Sequence, residues 1–179
     1  MKTLLLMRHA KSSWKEADLP DHERPLNKRG KKDAPTMGKL LQERDLIPQT
    51  ILSSSALRAR LTAEALVETC CQSSEVQYLD SFYMAEADEY LLTLRNLPDT
   101  LNLVMIIGHN PGLETLLQVL SGQIESLPTA VIAHINLPIE HWSDLNSDTA
   151  GELLEIWKPR EIRKDDDKKP KDKKKKKDK

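Results

Sequence analysis

Continuous apolar runs recur along the chain, and several of them stop abruptly at polar or charged residues. "TLLLM" near the N-terminus, "QTILSSS" and "LNLVMII" lack the alternation of a strand with one wet face, so they read as strands covered on both sides. Between them the spacing changes to that of helices. In "GHNPGLETLLQVLSG", Leu113, Leu116, Leu117 and Leu120 fall on one face, with Asn110 as the expected N-cap, Pro111 at the first helical position and Gly122 just past the end. "SSSALRARLTAEAL" places Leu57, Leu61 and Ala65 four apart behind a candidate cap at Ser55, which puts Arg58 in the first turn. "NKRGKKDAPTMGKLL" is helical through Ala34, Met37 and Leu41, with Pro35 either kinking the helix or marking its start. "DEYLLTLRNL" is a further helix, and "AVIAHINL" with "GELLEIW" a strand pair. Strands alternating with helices predict an α/β fold: three layers, α/β/α, around a mostly parallel central sheet.

Composition bounds this picture. A chain of 179 residues is long enough for one domain with a real core. From Arg163 to Lys179 there are 11 basic and 5 acidic residues and no aliphatic or aromatic one. That net of +6, against a chain total of −1, leaves −7 for residues 1–162. The expectation is a folded domain over 1–162 and a disordered Lys/Asp-rich tail over 163–179, since such a segment cannot bury enough surface to offset its ordering entropy. The acidic body does not fit a nucleic-acid surface, and the tail, interrupted by Asp165 to Asp167, reads as solvating rather than as a tether to nucleic acid or membrane. Cys70 and Cys71 are the only cysteines and are adjacent, which suits reduced thiols and a cytoplasmic location. The apolar stretch Leu4 to Met7 is shorter than the roughly 7 to 15 residues of a signal peptide core, and no run reaches the roughly 18 residues of a membrane span.

The chemistry sits where the apolar runs end. Arg8 and His9 follow the first, Arg58 lies in the helix turn after the second, and His109 follows the third. Open α/β sheets bind ligands at the carboxyl ends of their strands, so these four residues can converge from distant positions. The helix starts that follow offer free N–H groups, and the whole reads as an anion site.

"LLLMRHAKSSW", "ERPLNKRG", "SSSALRARLTAE" and "IIGHNPGLE" resemble, in order and spacing, the histidine phosphatase superfamily of phosphoglycerate mutase-like proteins, and in particular its small SixA-type phosphohistidine phosphatase branch. The likeness runs from about Thr3 to Trp157, with Ala10 in a place usually held by glycine, Ser55 where many relatives have proline and Leu61 where many have glutamine. The resemblance implies a phosphoglycerate mutase-like fold and His9 as a nucleophile that becomes a transient phosphohistidine, with Arg8, Arg58 and His109 around the phosphate. It also implies a phosphate contact from Arg24. Lys11, two residues from His9, is a further substrate-binding candidate.

Chemistry supports this reading independently. A neutral, correctly oriented imidazole attacks phosphorus, and two guanidinium forks and a second histidine can hold the equatorial oxygens with neither metal nor cofactor. "DHE" at Asp21 to Glu23 is the nearest approach to a metal cluster, and side chains of adjacent residues diverge. A general acid is expected, where one exists, among Asp80, Glu86, Asp88 and Glu89, none of which stands in a matched motif. Phosphohistidine needs none, because a ring protonated on its other nitrogen leaves as neutral imidazole. The expected partner is thus a phosphorylated protein, with a small phosphorylated metabolite as the alternative and a non-catalytic phosphate-binding adaptor as a third reading. His22, His134 and His141 are expected to be structural or exposed.

Overall fold

The computed structural model describes residues 1–168. The elements in chain order are β1 (Lys2–Arg8), α1 (Lys28–Glu43), β2 (Thr50–Ser54), α2 (Leu57–Thr69), β3 (Glu75–Leu79), α3 (Ala87–Arg95), β4 (Leu103–Gly108), α4 (Gly112–Ser121), β5 (Ile132–Leu137), β6 (Glu152–Trp157) and α5 (Pro159–Lys168). Among the described residues the strands form one six-stranded sheet in the order β3-β2-β4-β1-β5-β6. Only β5 is reversed: β1, β2, β3 and β4 pair parallel, and β6 pairs antiparallel to β5.

The alternation of side chains across the central strands makes two cores. Leu4, Leu6, Leu52, Val104 and Ile106 point to the face covered by α3 and α4, through Tyr90, Leu94, Leu113 and Leu117. Leu5, Met7, Ile51, Met105 and Ile107 point to the other, covered by α1 and α2 through Met37, Leu41, Ala63 and Leu66. Continuous apolar runs are therefore what strands clad on both faces require, and the three-layer α/β/α arrangement follows. Cys70 and Cys71 are buried free thiols at the end of α2. No helix among the described residues is long and apolar enough to cross a membrane.

Several local expectations shift. α1 runs unbroken through Pro35, starting from Asn27, whose side chain accepts the Gly30 N–H at 2.9 Å. Gly30 lies so close to the Lys11 carbonyl that a Cβ there would stand 2.2 Å from it, so its missing side chain lets α1 dock on the loop after β1. α4 begins at Gly112 behind Pro111 rather than behind an Asn110 cap, and the Asn110 Oδ1 accepts no helix N–H. Gly122 does end that helix, at φ 70°. Ser55 does not cap α2; Ala56 holds that position, and the Ser54 hydroxyl accepts the Ala56 N–H at 3.2 Å. β3, "EVQYL", is an edge strand that its mostly exposed, polar positions had concealed.

The domain boundary also moves. Instead of ending at residue 162, the ordered chain continues as α5 to Lys168, with Ile162 packed on the α1–α2 core and Arg163 paired to the buried carboxylate of Asp33. Arg29 holds the other oxygen of Asp33 at 3.5 Å. Composition could not reveal this, because what recruits Arg163 is a single buried charge rather than apolar surface. The rest of the expected tail, residues 169–179, lies outside the described residues.

Removing one partner of a buried ion pair leaves an under-compensated charge. R163M should therefore lower stability by about 1–3 kcal/mol in urea denaturation, and an unchanged midpoint would show that Asp33 is satisfied without α5.

Candidate active site

The carboxyl ends of β1, β2 and β4 deliver their residues to one cavity of about 310 Å³. Arg8 is the last residue of β1 and His9 follows it; Arg58 lies in the first turn of α2 and His109 directly after β4. All four line the cavity, together with Arg24 and Lys11. The six residues expected to meet the phosphate are thus brought to one cavity.

His9 is 6% exposed, and its Nδ1 lies 2.8 Å from the Ala10 carbonyl. A carbonyl only accepts, so Nδ1 carries the proton and Nε2 is left with a lone pair facing the cavity. Burial, more than the neighbouring positive groups, lowers the His9 pKa to about 3, and the ring is neutral. The Ala10 N–H in turn donates to Thr62 Oγ1 at 3.0 Å, and the Thr62 hydroxyl donates to the Arg58 carbonyl at 2.6 Å, so the His9 loop is bolted to the start of α2.

Arg58 is the hub. Its Nε donates to His9 Nε2 at 3.3 Å, Nη1 to the Asp21 carbonyl at 2.6 Å, and Nη2 both to Asp21 Oδ2 at 2.9 Å and to His109 Nδ1 at 3.4 Å. Because guanidinium only donates, His109 Nδ1 is an acceptor and its proton sits on Nε2, 2.8 Å from Ser54 Oγ. Burial, then the Arg58 charge, lowers His109 to about 4.

Arg8 donates from Nη1 to the Leu127 carbonyl at 3.2 Å, while its Nε is buried with no hydrogen-bond partner. Arg24 is held by Ser12 at one Nη and by the Trp14 ring, 3.3 Å above its guanidinium carbon, whereas its Nη1 is buried without a hydrogen-bond partner. Buried donors without acceptors are costly, and an oxyanion in the cavity would supply what they lack. Lys11 lines both this cavity and an adjoining surface groove.

Several residues here were not anticipated. Asp21, read from sequence only as part of an unconvincing metal cluster, bridges Arg58, Arg24 and the Tyr83 hydroxyl, which donates to Oδ2 at 2.8 Å. Its neighbour His22, expected to be structural or exposed, meets Ser55 Oγ at 3.0 Å and packs edge-on against Tyr83. Asn110 donates to Glu114 Oε1 at 2.7 Å and to the Leu127 carbonyl at 2.9 Å. Acidic and aromatic residues just before an arginine motif were the available signal for Asp21 and Trp14; Tyr83 and Thr62 carried none. His134 and His141 lie apart from the cavity, on Trp157 and Asp99 respectively. Asp80, Glu86, Asp88 and Glu89 do not line the cavity. Among the described residues no group of three or more His, Cys, Asp or Glu could hold a metal ion.

Fold and site together define an α/β protein with a cationic, histidine-lined cavity at the carboxyl ends of its parallel strands. The chain belongs to the histidine phosphatase superfamily, branch 1, whose family model matches residues 4–82. Its fold is shared by the protein histidine phosphatase SixA complexed with tungstate, with TM-score 0.77 at 22% identity, covering 89% of this chain and 99% of that one. A SixA-type protein from Agrobacterium tumefaciens superposes equally well, with TM-score 0.77 at 27% identity over 88% of this chain and 98% of that one. In sequence, an uncharacterised chloroplastic protein of Arabidopsis thaliana is 33% identical over 153 residues, 80% of this chain and 70% of that one.

Two neutral buried histidines make stability depend on pH. Their folded pKa values lie below the ordinary 6.5, so the unfolded chain takes up protons the native state refuses. Their contribution is intact above about pH 6.5 and declines as pH falls towards the folded values. Unfolding free energy should drop by up to about 2 kcal/mol per histidine between about pH 7.5 and about pH 5, and H9N should flatten that slope. A slope that H9N leaves unchanged would mean that His9 is charged in the native state.

Proposed function

We propose that this phosphatase works by transferring the phosphoryl group to Nε2 of His9, and that its substrate is phosphohistidine carried on a protein. The observation that supports the nucleophile is the Nδ1 bond of His9 to the Ala10 carbonyl, which fixes the tautomer with Nε2 bare. Attack forms the Nε2–P bond and breaks the bond to the leaving group. Arg8, Arg24 and Arg58 neutralise the equatorial oxygens, and their planar forks position them. His109, neutral and beside Arg58, lines the same cavity and completes the surroundings of the phosphoryl oxygens. The phosphorylated His9 ring keeps its Nδ1 proton and so is itself a good leaving group when water attacks in the second half of the reaction.

The character of the carboxylate in the cavity supports this substrate class. The carboxylate lining it is Asp21. Burial pushes Asp21 up, but the hydrogen bonds from Tyr83 and Arg58 outweigh this and hold it below the usual carboxylate range. An ionised Asp21 cannot protonate an alkoxide, whereas a protonated phosphoimidazole departs unaided. The likeness in fold to the SixA protein histidine phosphatase supports the same substrate.

H9A should abolish turnover and retain part of the affinity for inorganic phosphate, since the arginines remain. Rapid quenching in alkali should trap acid-labile phosphate on His9, and its absence during turnover would remove His9 from the nucleophile's role.

R58K keeps the charge but loses the fork, and should lower kcat/KM by about tenfold or more. Near wild-type kinetics would place Arg58 outside contact with phosphate. Phosphohistidine protein should be turned over faster than phosphorylated sugars, and the reverse order would favour a small metabolite as substrate.

A further inference from the structure

Asp21 is out of place in an anion site. Arg8, Lys11, Arg24 and Arg58 give the cavity its positive lining, and a carboxylate among them opposes a phosphate dianion. Orienting Arg58 does not require it: the Asp21 main-chain carbonyl already takes the Arg58 Nη1 proton at 2.6 Å, whatever the side chain. The two carboxylate oxygens are also unequal. Oδ2 accepts from Arg58 Nη2 at 2.9 Å and from the Tyr83 hydroxyl at 2.8 Å. Oδ1 has only Arg24 Nε at 3.5 Å, beyond an ordinary hydrogen bond, and the side chain is 45% exposed. One oxygen is thus anchored by two donors, and the other keeps an open lone pair at the cavity.

We propose that Asp21 determines the leaving group: its Oδ1 accepts the ring N–H of a protonated phosphoimidazole, selecting phosphoryl groups carried on a nitrogen heterocycle. The proposal rests on the function argued above and adds the residue that would recognise the departing ring. In the step itself the His9 Nε2 lone pair forms the new P–N bond as the old one breaks. The electron pair of the broken bond returns to the ring nitrogen that carried phosphorus. The proton on the other ring nitrogen stays there, hydrogen-bonded to Asp21, and the ring leaves as neutral imidazole. Asp21 moves no proton; its charge favours the cationic form of the ring, from which departure is easy. A leaving group with a carboxylate or phosphate of its own is repelled by the same charge. Trp14, Tyr83 and Met84, which also line the cavity, offer apolar and aromatic surface suited to a flat ring.

The test compares wild type and D21N on N-phosphoimidazole and on phenyl phosphate at one near-neutral pH, with inorganic phosphate as competitive inhibitor. Asparagine keeps the main-chain bond to Arg58 and removes the charge. The ratio of kcat/KM for phosphoimidazole to that for phenyl phosphate should fall about tenfold or more, while inhibition by inorganic phosphate becomes tighter. Reading both substrates on one preparation cancels any loss of folded enzyme, and D21S gives the same ratio should D21N not fold. An unchanged ratio, or weaker phosphate inhibition, makes Asp21 a mere positioning group for Arg58 and overturns the proposal alone. A wild-type enzyme that hydrolyses phenyl phosphate but is inert on phosphoimidazole overturns the proposal together with the function on which it rests.

Discussion

A hydrogen bond of 2.8 Å between a ring and the carbonyl of the next residue governs this site. It fixes which nitrogen of His9 is bare, and Ala10, which carries that carbonyl, is held through its own N–H by Thr62, whose hydroxyl simultaneously ties down the first turn of α2. One threonine thus couples the orientation of His9 to the position of Arg58, although the two lie on different elements. The pairing of β1 with β4 places Arg8 opposite Gly108 and so sets His109 at the same level of the sheet.

The electrostatic condition of the pocket follows from the same crowding. Two imidazoles and three guanidinium groups share a small volume, and histidine is the member that can shed its charge, which it does. The guanidinium groups cannot, and with burial their unpaired N–H groups become donors awaiting an acceptor. A pair of neutral imidazoles and a cationic lining are two outcomes of one burial, separated by the different proton affinities of the side chains.

The sheet, the two helical layers and the residues at strand ends were legible because each depends on local pattern: apolar runs, four-residue spacing, and histidine or arginine where a run stops. What stayed hidden depends on pairings across sequence. Asp21 matters because Arg58, 37 residues away, lies against it; Tyr83 matters because Asp21 does. Asn110 looked like a helix cap since its type and position suit one, yet its Oδ1 takes no helix N–H, and its Nδ2 donates to Glu114 and the Leu127 carbonyl. Arg163 was assigned to a solvated tail on composition, which cannot register that Asp33 is buried 130 positions earlier.

The reversed strand β5 has an architectural consequence. Since α4 leads away from the site and β5 starts beside it, the connection between them must climb the full height of the sheet, from Gly122 to the Leu127 carbonyl that holds Arg8. Its upper end is buried, but Gln123 to Ser126 are exposed and lie in no helix or strand. Chain length can therefore vary there without disturbing strand register or the residues that line the cavity.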